Sequence, residues 1–170
     1  MLRRLKELFH ELNCIQYGRF KLASGGVSNY KIFCDPLFES SEARDILSKI
    51  GYQMLQVVES EQTYDIVGVV TGGYEFAKLV AKGIGRSAVS VDPHNNEVKG
   101  NLMGRNICYF EDVVTKGGSI LKCHNIIKNL TPIKNEKAIC IVDREENGRG
   151  NLRKNGIDLE SILTKSELEK

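Results

Sequence analysis

No CxxC pair, long apolar run, basic block, internal repeat or low-complexity tract occurs in this chain. Each absence removes a class of protein. The five cysteines, Cys14, Cys34, Cys108, Cys123 and Cys140, are odd in number and scattered, which argues against a disulfide framework or a zinc site. Cys108 and Cys140 fall in apolar runs and are expected to be small buried hydrophobes, not nucleophiles. Lys and Arg number 24 against 22 Asp and Glu, mixed along the chain, so no electrostatic footprint for nucleic acid is present. The opening "MLRRLKELFHEL" is charged throughout, unlike a signal peptide or a membrane span, and the expected location is the cytoplasm.

Two nucleotide motifs are also missing. The pattern GxxxxGK[ST] does not occur, because Lys116 precedes its glycines, and this argues against a nucleotide triphosphatase. "GIGRSA" (83–88) matches GxGxxA but follows a helical pattern and precedes a strand, the reverse of a dinucleotide fingerprint.

What remains is an ordinary globular composition, 41% hydrophobic and 27% charged over 170 residues, enough for one domain with a sizeable core. Leu5, Leu8, Phe9 and Leu12 recur at helical spacing. "GRFKLASGGVSNYKIFCD" reads as short strands joined by tight turns. Ser40 or Ser41 caps a second helix whose apolar positions are Ile46, Leu47, Ile50, Met54 and Val57. From residue 65 strands and helices alternate. Strands are expected at 65–70, 87–91, 106–110, 137–142 and 157–163, with the last near an edge, and helices after "TGG" and over 119–130. That alternation implies a mostly parallel α/β sheet covered on both faces.

In such a sheet, ligands bind beyond the carboxyl ends of the strands. Two glycine turns fall there, "TGGY" after 65–70 and "TKGGS" after 106–110. Small residues expose backbone N–H groups, and the helix that follows adds the positive end of its dipole, so both turns suit phosphate oxygens. Thr115 and Ser119 add hydroxyl donors. Glu111 and Asp112 precede the second turn and would repel phosphate alone; a ligand that also carries a sugar diol gives them hydroxyls to accept from. A divalent metal, magnesium, would offset the remaining charge through water and substrate oxygens, with no dedicated protein site.

The apolar strand, two acids and Thr/Gly turn of 106–119 resemble the signature of type I phosphoribosyltransferases. "FKLASGGVSNY" (20–30), "IVDREENG" (141–148) and "GIDLESILTKSEL" (156–168) are similar to the orotate phosphoribosyltransferase family, especially its archaeal forms. The resemblance implies one domain over 1–170, a parallel sheet flanked by helices, with a small hood mainly from 1–40 and a C-terminal contribution. It implies transfer of phosphoribosyl from phosphoribosyl pyrophosphate to orotate, with magnesium, by a homodimer that uses neither nucleic acid nor membrane. Phosphoribosyl pyrophosphate would meet Glu111, Asp112, Val113, Val114, Thr115, Lys116, Gly117, Gly118 and Ser119, with Thr71, Gly72 and Gly73 against the pyrophosphate. Thr115 and Arg144 would contact orotate, whose carboxylate suits an arginine.

The family's mobile loop usually carries an Arg-Lys pair that reaches the neighbouring subunit's pyrophosphate. Here 91–104 is shorter and lacks the pair; His94 and Lys99 are its only basic residues, and position 23, often lysine in relatives, is Ala23. Asp112 and Lys99 are therefore the candidate catalytic residues, with Lys116 a further source of charge. As solvated surface groups Lys99 and His94 would contribute nothing, and the chain would be a phosphoribosyltransferase-like binding or regulatory protein. Otherwise a slow enzyme is expected.

Overall fold

The computed structural model describes residues 1–21 and 26–169, so Ala23 and the rest of 22–25 lie outside the described residues. The chain opens with α1 (Leu2–Glu11), followed by β1 (Ile15–Lys21) and β2 (Val27–Ile32), which pair antiparallel as a sheet of their own. The apolar stripe of α1 buries Leu5, Leu8 and Phe9, as its spacing predicts. Along β2, Ser28 and Ile32 are buried while Val27, Asn29 and Lys31 are exposed, the period of two that gives a strand one inward face.

Two helices come next, α2 (Asp35–Glu39) with Pro36 in its first turn, and α3 (Ser41–Val58). Ser40 caps α3, its Oγ accepting from Ala43 N at 3.3 Å. Ala43, Ile46, Leu47, Ile50, Gly51 and Leu55 form the buried stripe of α3, which includes the expected Ile46, Leu47 and Ile50. Val57, expected on that stripe, falls in line with Ile46 and Ile50 but is 77% exposed, at the last turn of a helix that ends at Val58.

The remaining elements are β3 (Asp65–Val69), α4 (Gly72–Gly83), β4 (Val89–Asp92), β5 (Glu97–Lys99), β6 (Asn106–Val114), α5 (Gly118–Leu130), β7 (Asn135–Asp143), α6 (Gly148–Arg153), β8 (Asp158–Thr164) and α7 (Lys165–Leu168). The strands form one six-stranded sheet in the order β5-β4-β3-β6-β7-β8, parallel except for β5. One face carries a core of α1, α3 and α4 residues with Phe76 edge-on to Phe110; the other packs Ile120, Cys123, Ile127 and Leu152 from α5 and α6. This is the covered parallel sheet that the alternation predicts, with β8 at its edge.

Three features bear on the site. Residues 97–99 form a short edge strand antiparallel to β4, so Lys99 lies on a hairpin, in keeping with its reading as a solvated surface group. Strand β6 runs four residues past Phe110, because Val113 and Val114 pair with Val142 and Asp143. A helix not foreseen, α6, follows "DREEN" and packs behind the "TKGG" turn. All five cysteines are buried and unpaired, and burial raises each thiol, Cys14 to about 11 and Cys123 to about 12, so none is a ready nucleophile. No helix among the described residues is long and apolar enough to cross a membrane.

Candidate active site

Strands β3 and β6 are neighbours and parallel, which brings their two glycine turns to the same end of the sheet. The acids lie between those turns, inside β6 and not after it. Glu111 is buried and Asp112 half-buried, and Asp112 N donates to Glu111 Oε1 at 3.2 Å.

The "TGG" glycines are buried at the start of α4. A β-carbon on Gly73 would stand 2.3 Å from the Phe110 carbonyl oxygen and 2.9 Å from Glu111 Oε1. Gly72 is pressed equally closely against the Asp112 carboxylate. Both glycines are needed so that the first turn of α4 can lie on the acids. Gly68, one turn below, is likewise bare because Tyr74 Cα would be 2.4 Å from its β-carbon. Thr71 remains exposed beside them.

Burial raises the Glu111 carboxyl well above the usual range, and the Asp112 charge beside it adds to the effect. Burial raises Asp112 as well, against hydrogen bonds from Glu111 and from backbone N–H groups that favour its anion. The pair therefore holds a proton on Glu111 more readily than on Asp112.

The second turn forms a small cradle lined by Glu111, Val113, Val114, Thr115, Gly117, Gly118 and Ser119. Gly117 takes φ +79°, the left-handed conformation, and turns the chain into α5 so that the helix N-terminus faces the cradle. Helix α6 supports the turn from behind: Asn151 Nδ2 donates to the Lys116 carbonyl at 3.0 Å, and a β-carbon on Gly148 would meet the Thr115 carbonyl oxygen at 2.5 Å. Val114 is buried, and its carbonyl accepts from Arg144 N at 2.9 Å. Lys116 and Ser119 are exposed.

Across β7, Arg144 is only 6% exposed. Its Nη2 lies 2.7 Å from Glu146 Oε1 and donates to Ser28 Oγ at 3.3 Å, while Nε donates to the Tyr30 hydroxyl at 3.1 Å. The guanidinium carbon sits 4.4 Å from the Tyr30 ring centre, and Lys165 Nζ lies 4.5 Å from it. Ser28, Tyr30 and Glu146 were not among the expected site residues. The alternation of β2 marks an inward face, but only the fold sets that face against Arg144. Asp143 shapes the turn, its Oδ1 accepting from Glu145 N at 2.9 Å.

Lys99 stands apart. It is exposed on β5, opposite Ser90, with Nζ 3.0 Å from Glu97 Oε2. Three strand spacings separate β5 from β6, about 14 Å. His94 is exposed in the hairpin turn, where Asp92 Oδ1 accepts from its backbone N–H at 2.9 Å. Among the described residues no group of three or more His, Cys, Asp or Glu side chains is arranged to hold a metal ion.

The chain is 30% identical to orotate phosphoribosyltransferase of Methanocaldococcus jannaschii, over 98% of this chain and 96% of that one. It is 33% identical to the enzyme of that name from Picrophilus torridus, over 96% and 99%. The chain belongs to the orotate phosphoribosyltransferase family. No family model matches it. Among solved structures, orotate phosphoribosyltransferase from Aeropyrum pernix superposes with a TM-score of 0.85 at 22% identity, covering 96% of each chain. The Mycobacterium tuberculosis orotate phosphoribosyltransferase in complex with 5-phospho-α-D-ribosyl 1-diphosphate gives 0.75 at 20% identity, covering 99% of each. At those identities the likeness is one of fold, and the fold is that of the type I phosphoribosyltransferases, as the resemblance implied.

Proposed function

We propose that this chain transfers the phosphoribosyl group of phosphoribosyl pyrophosphate to orotate, giving orotidine monophosphate and pyrophosphate, a step of pyrimidine nucleotide biosynthesis. The observation that carries the reading is the Glu111–Asp112 pair set between two helix N-termini, with a buried arginine at the end of the next strand. One ligand with two phosphate ends, a sugar diol and an anionic base partner would use all of these.

In this reading the α5 N-terminus and residues 115 to 119 hold the 5′-phosphate. Glu111 and Asp112 accept from the ribose hydroxyls, and Thr71, Gly72 and Gly73 lie along the pyrophosphate. Thr115 and Arg144 face the base. The transition state gains positive charge on the ribose and negative charge on the leaving pyrophosphate. Asp112 stabilises the first, and the N–H groups at the start of α4 stabilise the second. Among the described residues no group of three or more His, Cys, Asp or Glu side chains is placed to hold a metal, so Glu111 and Asp112 would meet magnesium only through water, and the ion would supply positive charge against the pyrophosphate. The β1–β2 pair acts as a hood over the base, with α7 contributing; the contacts of Tyr30 with Arg144 and Lys165 support this.

Lys99 is the candidate cation for the leaving group, offered from an exposed edge to a second copy in a homodimer, with Lys116 nearer the cradle. The ion pair of Lys99 with Glu97 favours a second reading, a ligand-binding protein of low activity. Incubation with phosphoribosyl pyrophosphate, magnesium and orotate, following nucleotide product, separates them. Orotidine monophosphate is expected, and tight binding without nucleotide from any base would leave the binding protein.

A further inference from the structure

We propose that Glu146 is the resident counter-ion of Arg144 and yields that place to the carboxylate of an incoming base, so that Glu146 sets how tightly carboxylate-bearing ligands bind. The inference rests on the base-site reading above. An unpaired guanidinium as deeply buried as Arg144 would be strongly unfavourable. The carboxylate of Glu146 answers it at 2.7 Å, while Ser28 and Tyr30 offer neutral oxygens.

Glu146 is the more displaceable partner. Its side chain is 30% exposed against 6% for Arg144, and its other hydrogen bond, from the Tyr30 hydroxyl, is long at 3.4 Å. The turn that carries it is anchored independently. Glu145 and Asn147 on either side take φ 59° and 66°, and Glu145 Oε2 accepts from both N and Oγ of Ser166. A rotation of the Glu146 side chain therefore vacates the guanidinium without a change of backbone.

A base carboxylate offers Arg144 the same planar acceptor that Glu146 offers. Two carboxylates on one guanidinium repel each other, so one leaves. A base without a carboxylate makes no such demand and leaves the Arg144–Glu146 pair intact. Glu146 thus weakens the hold on carboxylate-bearing ligands alone, keeps Arg144 paired between turnovers, and hastens departure of a carboxylate-bearing product.

The test is calorimetric binding of orotidine monophosphate and of uridine monophosphate, which differs only in lacking the base carboxylate. Wild type, Glu146→Gln, Arg144→Ala and the double variant are compared. Glu146→Gln keeps a neutral hydrogen bond but no charge, and should tighten orotidine monophosphate about tenfold while leaving uridine monophosphate unchanged. On the Arg144→Ala background the same change should have no effect. If Glu146→Gln leaves orotidine monophosphate binding unchanged or weakens it, while Arg144→Ala weakens it, the counter-ion exchange is wrong and the base site stands. If Arg144→Ala does not weaken orotidine monophosphate, both ideas fall. Glu146→Ala, with the same expected sign, serves should the glutamine variant not fold.

Discussion

A β-carbon at Gly72 would stand 2.2 Å from Oδ2 of Asp112. The glycine turn and the acid are one packed unit, and each requires the shape of the other. Gly72→Ala must push the carboxylate aside, whereas Gly73→Ala would run into the Phe110 carbonyl, which cannot rotate away. Gly73→Ala should therefore be the more destabilising, by about 1–3 kcal/mol, and a urea titration of both variants measures the difference.

Asp112→Asn removes charge but not volume from that unit. The fold should persist, with a melting temperature near neutral pH no lower than that of wild type, because burial disfavours the Asp112 charge. Binding of phosphoribosyl pyrophosphate should weaken by roughly 1.5–3 kcal/mol, the worth of a charge-assisted hydrogen bond. Unchanged affinity in calorimetry would remove Asp112 from the ribose site.

The raised Glu111 carboxyl makes a prediction about pH. Burial, helped by the Asp112 charge, holds its folded-state value above the ordinary 4.5, so the folded chain binds this proton more tightly than the unfolded chain. Its contribution is complete below the unfolded value and declines as pH rises from there through the folded value. The acids Glu7, Glu42, Asp92 and Asp158 are shifted downward by their partners and act in the opposite sense, losing stability as pH falls. Comparison with Glu111→Gln isolates the Glu111 part. The variant should gain on wild type as pH rises from about 5 to 8 in ligand-free melts. A constant difference across that range would contradict the assignment.

Lys99→Ala addresses the leaving group. A cation that reaches pyrophosphate only in the transition state lowers the barrier without tightening ground-state binding. Loss of one such contact costs about 10²–10³ in rate. Lys99→Ala should lower kcat for orotidine monophosphate formation and spare the affinity for phosphoribosyl pyrophosphate. An unaltered kcat would mean that the Glu97 pair describes all that Lys99 does.

Much of this was written locally in the chain. The spacing of Leu5, Leu8 and Phe9 determined α1, and the apolar runs at 65–70 and 137–142 determined two strands of a covered parallel sheet. The acids followed by "TKGGS" identified the cradle, because strand, turn and helix start are short-range features whose residues are adjacent. Tertiary structure decided the rest. Strand β6 continues through Glu111 and Asp112 because β7 supplies partners at Val142 and Asp143, a pairing that no local pattern encodes. The "TGG" glycines are bare because acids about forty positions later press on them, and Val57, in line with the buried Ile46 and Ile50, is outside at the last turn of α3. Arg144 could be singled out from "DREE", but its surroundings come from Ser28 and Tyr30, more than a hundred residues earlier. Periodicity reports which face of an element is buried; what that face is buried against depends on how the elements pack.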